Sequence, residues 1–344
     1  MTPHVKKDKK DRDMHTPLEQ HTIPAALDLF TKTGTRPMEE TAERLRSEGY
    51  GGAAFYTADM ISSVMRLKEK RTTAPEGIIP IPSAIRADGN MSDIGLLARQ
   101  GERLLCVPEN FENTDRLRKL FCYASDFGVR IAISPTLSSI CEKGQINEGL
   151  VSDRLGIKAI PPIAELIAAQ TAMAFAAEWG TPLHLRGVTC AKTLAAIASA
   201  QKNGQDVTCD APILNLLLDE TIYTPARLDP RIKPYPPLRA PSDRRAIWDA
   251  LENGTLTALT TAYSPRSGDM LALPFEQSPF GSERLDNILG DLLDTWEKAN
   301  RPCSLGRLLY ALSEGPSMIS GFVPRGKTVL TKTEHGWNAQ YRAE

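Results

Sequence analysis

The residues of this chain that could bind a catalytic metal are few and widely separated. A hydrolytic zinc site is built from imidazole and carboxylate groups placed at tetrahedral reach. The chain has five histidines, but His184 is the only one between Ile23 and Glu334. The other four lie in the N-terminal lead or near the C-terminus: His4, His15, His21 and His335. A cluster of histidine ligands is therefore not predicted.

The six cysteines do not supply a second set of ligands. They are scattered and show no CxxC spacing: Cys106, Cys122, Cys141, Cys190, Cys209 and Cys303. Neither a disulfide framework nor a thiolate zinc site is predicted from such spacing. Buried free cysteine usually acts as a small hydrophobe, and we expect a cytoplasmic protein.

Composition and charge exclude several classes of function. The chain has 344 residues, of which 41% are hydrophobic, and a net charge of −1. The hydrophobic content is enough for a large core. The near-zero net charge gives no indication of a nucleic-acid-binding surface. No apolar run approaches the ~18 residues of a membrane span, and the N-terminus lacks a signal-peptide core. Aspartates interrupt the basic lead from Lys6 to Arg12. We interpret that lead as a solvated tail, with a binding arm as the alternative.

Short apolar runs alternate with longer amphipathic runs along most of the chain. Eight of the short runs are candidate strands: Ala25–Phe30, Gly52–Tyr56, Gly77–Pro82, Arg103–Val107, Val129–Ser134, Pro182–Arg186, Gln205–Cys209 and Leu256–Thr260. The longer runs predict helices: Pro37–Glu48, Asp59–Lys68, Asp93–Gln100, Asn113–Phe127, Pro161–Trp179, Cys190–Asn203, Pro241–Asn253, Ser282–Ala299 and Cys303–Glu314. Strands that alternate with helices pair in parallel, and eight such units predict a closed α/β barrel, a (β/α)8 TIM-like fold.

Three regions follow from this pattern. Residues 1–22 are polar and are expected to be a disordered lead, residues 23–321 form the barrel, and residues 322–344 hold one strand, Lys327–Leu330, before a polar tail. The helix Pro161–Trp179 is apolar around much of its circumference. It is interpreted as a ring helix buried between neighbours, with an oligomer contact as the alternative.

Several polar residues follow the predicted strands and could reach the mouth of the barrel. Arg186, Arg239 and Arg266 could together hold a carboxylate or phosphate metabolite, although salt bridges to acidic loops explain them equally well. His184 has apolar neighbours on its strand and is interpreted as a hydrogen-bonded interior residue. Lys32 is expected to form an ion pair with Asp28 or Asp210, with a Schiff-base or carboxylated lysine as the alternative. Asp210 and Asp243 are expected to serve helix starts or loop hydrogen bonds.

One long segment resembles dihydroorotase, a member of the amidohydrolase superfamily. It contains Pro236-Pro237-Leu238-Arg239, the strand Val207-Thr208-Cys209-Asp210, and Leu273-Pro274-Phe275 through Pro279-Phe280-Gly281. The likeness extends over roughly Pro24–Gly321. It is nearest to the dihydroorotase-like, non-catalytic subunit that accompanies aspartate carbamoyltransferase in some bacteria. The resemblance implies an amidohydrolase barrel in which the C-terminal residues are a remnant of a truncated accessory β region.

The positions at which this family binds its metals carry other residues here. The family's His-x-His at the end of the first strand corresponds to Phe30 and Lys32, since side chains two apart share a strand face. The remaining ligand positions are occupied by Ser134, Gly187 and Ala262. The resemblance therefore implies that zinc is absent and that no cofactor is bound.

The positions that grip the substrate in this family are also altered. The arginine that follows the first strand corresponds to Gly34, the asparagine before the PPLR motif to Tyr235, and a histidine of the last motif to Arg266. The bridging ligand has no clear counterpart, although Glu109 and Asn110 lie nearby in sequence.

These substitutions predict a pseudoenzyme. The resemblance implies a structural subunit of a hetero-oligomer with the catalytic chain of aspartate carbamoyltransferase, in pyrimidine biosynthesis. Two alternatives stay open: an active cyclic amidase with a rebuilt metal site, and a metabolite sensor that uses the arginines of the barrel mouth.

Overall fold

The computed structural model describes residues 18–32, 36–56, 77–109, 111, 113–141 and 143–344. In these residues the strands are β1 Glu19–Pro24, β2 Ala26–Thr31, β3 Tyr50–Tyr56, β4 Ile78–Ile81, β5 Leu104–Cys106, β6 Arg130–Ile133, β7 Ile146–Asn147, β8 Ala159–Ile160, β9 Leu183–Leu185, β10 Val207–Pro212, β11 Ile232–Lys233, β12 Ala258–Thr260, β13 Gly281–Ser282, β14 Lys327–Thr333 and β15 Gly336–Arg342. All eight strands predicted for the barrel are present.

The helices of the same residues are α1 Met38–Ser47, α2 Ile94–Arg99, α3 Thr114–Ser125, α4 Ser138–Cys141, α5 Leu150–Leu155, α6 Pro162–Trp179, α7 Ala191–Lys202, α8 Leu214–Leu217, α9 Pro241–Glu252, α10 Gly268–Leu271, α11 Ile288–Lys298, α12 Leu305–Leu312 and α13 Glu314–Ser320. A 3-10 turn spans Glu220–Ile222. The helix predicted over Asp59–Lys68 lies outside the described residues.

Two parallel sheets curve into a (β/α)8 barrel. One has the order β2-β3-β4 and the other β12-β10-β9-β6-β5. A parallel bridge between Ser83 and Cys106 joins β4 to β5. On the opposite side, β12 lies against β2, where the amide of Lys32 donates to the carbonyl of Tyr263 at 2.8 Å. The predicted fold class is confirmed.

Local sequence explains where two ring helices begin and end. Pro162 is the first residue of α6, and Gly180 ends the helix in the left-handed conformation. Pro241 likewise begins α9, which Asn253 caps just before Gly254. Proline fits the first helical turn because its missing N–H has no intrahelical partner there. α6 is not fully covered, since Ile163 and Ile167 keep 46% and 40% of their surface exposed.

Three predicted boundaries differ from the structure. The helix predicted from Ser282 begins at Ile288, because Ser282 pairs with Ile232 in a two-stranded sheet and exchanges two backbone hydrogen bonds with Ser264. The polar lead was predicted to reach residue 22, but β1 begins at Glu19. The C-terminal region was predicted to hold one strand, and it holds two, β14 and β15.

An antiparallel sheet of order β1-β14-β15 lies beside the barrel. Ile23 and Trp337 are buried in it, and the ring of His21 stacks on Trp337 with centroids 5.7 Å apart. Thr328 joins the sheet to the barrel, because its hydroxyl donates to the carbonyl of Gly49 at 2.6 Å and accepts from the amide of Ala26 at 2.8 Å.

Among the described residues, no helix has both the length and the apolar character needed to cross a membrane.

Candidate functional site at the mouth of the barrel

The five predicted ligand positions lie at one end of the barrel. Phe30 and Lys32 stand at the end of β2, Ser134 directly follows β6, and Gly187 and Ala262 lie two residues beyond β9 and β12. The carboxyl ends of parallel strands form the face on which barrel enzymes carry their active sites. The predicted substrate position Gly34 lies outside the described residues.

Arg186 fills the centre of this face. Only 2% of its surface is exposed. Its guanidinium carbon lies 3.9 Å from the ring centroid of Tyr56 and 5.0 Å from that of Phe30. These two rings meet edge to face with centroids 6.2 Å apart. Arg186 Nε is buried without a hydrogen-bond partner among the described residues. A cation over aromatic faces is attracted by their quadrupoles, most strongly where water is excluded.

Lys32 forms an ion pair, but with a different residue from those predicted. Its Nζ atom lies 2.6 Å from Oε2 of Glu109, not against Asp28 or Asp210. Burial alone would raise the pKa of Glu109. The positive charges of Lys32 and Arg186, together with the hydrogen bond from Lys32, outweigh burial and lower this pKa below its usual value. Glu109 is therefore charged at neutral pH.

Asp28 has its own set of donors within the protein. It accepts hydrogen bonds from the hydroxyls of Thr31, Thr260 and Thr261 and from the amide of Thr261 at 2.9 Å. The carboxylate is fully buried. It links the end of β2 to the end of β12, which explains why Lys32 does not pair with it.

His184 and Asp210 form a buried polar pair on neighbouring strands. His184 Nε2 lies 2.9 Å from Asp210 Oδ2, and Nδ1 lies 3.0 Å from the hydroxyl of Thr208. The amide of Gly187 donates to the other Asp210 oxygen at 2.7 Å. Burial lowers the pKa of His184 more than Asp210 raises it. The prediction of a hydrogen-bonded interior histidine is confirmed, as is the loop role of Asp210.

Asp243 also acts as predicted, at the start of a helix. Its Oδ1 atom accepts from the amide of Ala191, the first residue of α7, at 2.8 Å.

The backbone at Gly187 leaves little room for a side chain. Its φ is +67°, and a Cβ atom there would lie 3.2 Å from both Cγ and Cδ of Pro236. Ala262 also has a positive φ, of 49°. A histidine at position 187 would therefore meet both a strained backbone and a crowded neighbour.

Arg239 and Arg266 are each engaged within the protein, which corrects the hypothesis of a three-arginine anion site. Arg239 donates to Thr189 at 3.0 Å, Asn147 at 2.8 Å and Glu165 at 3.2 Å. Arg266 binds both carboxylate oxygens of Glu283, at 2.7 and 2.8 Å. All three nitrogens of each guanidinium have partners, so the salt-bridge alternative explains these two residues. Arg266 also lies apart from the cavity that Arg186 and Arg239 line.

Glu165 lies at the centre of the network around Arg239. It accepts hydrogen bonds from the amides of Thr189 and Cys190 and from the hydroxyl of Thr189, at 2.7–3.1 Å. Glu165 also stands in the first turn of α6, where a carboxylate interacts favourably with the helix dipole.

The loops beyond the strands pack together above the mouth. Ile146, Tyr223, Leu238 and Phe275 belong to one apolar cluster that these loops share. Lys233 lies beside it, where its ammonium donates to the carbonyls of Phe275 and Ser278, both at 2.6 Å. Burial, together with the positive charge of Arg266, lowers the pKa of Lys233 to about 8. Lys233 therefore keeps its proton at neutral pH and holds this loop in place.

The described residues leave a very small cavity at the mouth. It measures about 20 Å³ and is lined by residues that include Phe30, Ser134, Arg186, Tyr235 and Arg239. Tyr235 closes one side, with its hydroxyl 3.1 Å from that of Thr136 and its ring 5.3 Å from that of Phe280. A space of this size holds about one water molecule, whereas small-molecule sites usually measure ~300–1,000 Å³.

Comparison with curated proteins finds many dihydroorotases. The chain is 35% identical over 175 residues to the dihydroorotase of Desulfotalea psychrophila, a match that covers 51% of this chain and 41% of that protein. It is 28% identical over 321 residues to the dihydroorotase of Ehrlichia canis, a match that covers 89% of this chain and 70% of that protein. The matched part spans about half or less of each of the first three relatives, at 41%, 48% and 50%. No protein-family model matches the chain.

The sequence of this chain is similar to those of dihydroorotases.

Solved structures confirm the barrel. Dihydroorotase from Saccharomyces cerevisiae, in complex with 5-fluoroorotic acid, superposes with a TM-score of 0.73 at 14% identity and covers 95% of this chain and 100% of that one. Dihydropyrimidinase from Brevibacillus agri superposes with a TM-score of 0.73 at 17% identity. The match covers 95% of this chain and 79% of that one. At these identities the likeness shows the fold.

The donor set at the mouth does not fit the zinc that the dihydroorotase family implies. Zinc in hydrolytic sites takes imidazole nitrogens and carboxylate oxygens. A phenyl ring, an ammonium, a hydroxyl, a glycine and a methyl group occupy the five matching positions. Among the residues that the structure describes, no three His, Cys, Asp or Glu side chains are grouped so that they could hold a metal ion. The bulky Arg186 side chain also occupies space beside Phe30.

Sequence reasoning identified most of the mouth but missed how its parts combine. Arg186 was predicted either to hold an anion or to form a salt bridge, and its contacts with the rings of Phe30 and Tyr56 were not predicted. Tyr56 gave no signal, because an aromatic residue at the end of a buried strand is also typical of a core position.

Proposed function

We propose that this chain is a catalytically inactive member of the dihydroorotase family. One observation carries the proposal: the positions of the family's ligands hold Phe30, Lys32, Ser134, Gly187 and Ala262, none of which is a usual zinc ligand in a hydrolase. A metal-bound water has a pKa of ~7, whereas bulk water has ~15.7. Without that activation the hydroxide nucleophile is scarce at neutral pH. In addition, the ~20 Å³ cavity gives a cyclic substrate no room beside Arg186.

We further propose that the barrel serves as an assembly subunit. By resemblance to the non-catalytic dihydroorotase-like subunit, its partner is the catalytic chain of aspartate carbamoyltransferase, and its process is pyrimidine biosynthesis. A barrel whose core and loops are retained while its metal positions are altered fits a role in architecture. The partly exposed apolar side chains of Ile163 and Ile167 on α6 are consistent with a protein contact.

The test of inactivity combines metal analysis with an assay. We expect the purified chain to contain less than stoichiometric zinc and to hydrolyse dihydroorotate at the buffer rate, both alone and mixed with the carbamoyltransferase. An active dihydroorotase assayed in the same buffer is the control. Stoichiometric zinc with turnover above the buffer rate would show that the metal site has been rebuilt.

The assembly role has a separate test. We expect the chain to co-purify with the cognate carbamoyltransferase, and native mass spectrometry to show one complex that contains both chains. If the carbamoyltransferase reaches the same assembly and activity without this chain, the structural role is wrong even if the barrel is inactive.

A further inference from the structure

Four charged groups meet at the mouth of the barrel. Lys32 and Arg186 carry positive charges, and Glu109 and Asp210 carry negative charges. Lys32 contacts Glu109 directly, at 2.6 Å. Arg186 interacts electrostatically with both Glu109 and Asp210. The two cations therefore lie among the carboxylates at the end of the barrel where the family places its metal.

We infer that Lys32 and Arg186 together replace the metal as the positive charge of this barrel: Lys32 neutralises Glu109, and the Arg186 guanidinium packs against the rings of Phe30 and Tyr56. The described residues at this site do not fit a bound metal, and this arrangement lets a barrel with buried carboxylates fold without one. The inference goes beyond the proposed function, since it holds whichever protein the chain assembles with.

Electrostatics supports the pairing. Partial burial favours the neutral form of a carboxyl group, whereas nearby positive charges favour its charged form. The pKa of Glu109 is lowered despite its burial, because Lys32 and Arg186 both favour the charged form. Burial opposes the charge on Arg186, but its pKa is raised, and the nearby carboxylates of Glu109 and Asp210 contribute to this shift. The chain itself thus supplies two positive charges beside the carboxylates of the mouth.

The shape of the site supports the second half of the inference. The long Arg186 side chain is buried, and only 2% of the residue's surface is exposed. Its flat guanidinium faces one ring at 3.9 Å and another at 5.0 Å. Lys32 Nζ lies 5.5 Å from the same Phe30 ring. Aromatic faces and a carboxylate are suited to organic cations, and a zinc ion prefers neither ring as a ligand.

Chemical rescue tests whether the guanidinium occupies a defined site. We expect Arg186→Ala to lower the melting temperature and ethylguanidinium to restore part of the loss in a saturable manner, because the small cation enters the space that the side chain leaves. Two controls receive the same additive: the unsubstituted protein and Arg231→Ala, which removes a side chain that is 72% exposed. Neither control should gain stability. A rise of equal size in both controls, or no saturable rise in Arg186→Ala, would overturn the inference.

A second pair of variants separates charge from volume and does not depend on Arg186→Ala being folded. Arg186→Lys keeps the charge, while Arg186→Met keeps much of the apolar length without charge. We expect Arg186→Lys to melt at the higher temperature of the two. Equal or greater stability of Arg186→Met would show that the site needs only volume, and the inference would fail. Neither outcome changes the result of the dihydroorotate assay, so the inference and the proposed inactivity are tested independently.

Discussion

The Nζ atom of Lys32 lies 2.6 Å from Oε2 of Glu109, at the end of the first barrel strand. Position 32 was predicted, by resemblance, to match the second histidine of the family's His-x-His motif, and its side chain is a cation. Nζ lies on the same side of the barrel as Arg186, and both charges lower the pKa of Glu109. This contact is the observation from which we infer that Lys32 supplies part of the positive charge of a metal.

This pair should show measurable coupling. Lys32→Met and Glu109→Gln each break it, and the double variant removes both charges. Because the two side chains are 38% and 29% exposed, solvent screens the pair, and we expect a coupling free energy of about 1 kcal/mol from a double-mutant cycle in urea at pH 7. Coupling indistinguishable from zero would contradict a role for the pair.

The same pair predicts a pH dependence. The pKa of Glu109 is lower in the folded state than its ordinary value of 4.5. The stability that it contributes is therefore present above its unfolded pKa and is lost as pH falls through the folded pKa. The difference in unfolding free energy between the protein and Lys32→Met should shrink from pH 7 to pH 3. A difference that stays constant over this range would indicate that Lys32 acts without Glu109.

The buried His184 should make the stability of the protein sensitive to acid. Burial holds its folded pKa below the ordinary value of 6.5, so the unfolded state takes up a proton first as pH falls. Stability should decrease from about pH 6.5 downward, through the folded pKa. His184→Gln removes this titration, and its unfolding free energy should vary less between pH 7 and pH 5. His335→Gln is the matched control, because that side chain is 78% exposed. An unchanged slope in His184→Gln would refute the prediction.

The cost of crowding at Gly187 can be measured by comparison with a second glycine that has nearly the same backbone φ angle. Gly187 and Gly180 have φ values of +67° and +66°, but a Cβ at Gly180 meets nothing within 4 Å. Gly180→Ala should cost about 1 kcal/mol from backbone strain alone. Gly187→Ala should cost ~1–3 kcal/mol more, because its methyl group presses on Pro236. Equal losses in chemical denaturation would show that position 187 can accept a side chain.

The pair Arg239–Glu165 should be important for stability. Both side chains are 4% exposed. Arg239→Met leaves Glu165 with an uncompensated charge, and we expect it to cost ~3–5 kcal/mol. The exposed pair Arg36–Glu40 provides the control: Arg36→Met should change the unfolding free energy by less than ~0.5 kcal/mol. The double variant Arg239→Met/Glu165→Gln should lose less unfolding free energy than the sum of the losses in the two single variants. Full additivity would mean that the pair is not a unit.

Regular patterns in the sequence predicted the barrel well. Strands such as β6 and β9 are short apolar runs with clear ends, and Gly180 and Gly254 stop their helices where left-handed backbone is needed. β1 was missed because its polar residues resemble a tail. Its only strongly buried side chain is Ile23, and its partner β14 is far along the chain.

Site residues were harder to predict, because their partners come from distant loops. Lys32 lies close in sequence to Asp28, yet its partner is Glu109, 77 residues away. The donors already on Asp28 decide this choice, and they come from β12 and the residue after it. Sequence spacing identifies which side chains face the mouth. It does not predict how many hydrogen bonds each carboxylate accepts from other parts of the chain.

The contact between Ala26 and Thr328 joins residues that are 302 positions apart. Forming it early would require closing a loop that includes nearly the whole barrel, at a large cost in chain entropy. We therefore expect the sheet of β1, β14 and β15 to assemble after the barrel strands have paired, and protection of the Ala26 amide from hydrogen exchange to be among the last gained during refolding. The small sheet would then report that the barrel is complete.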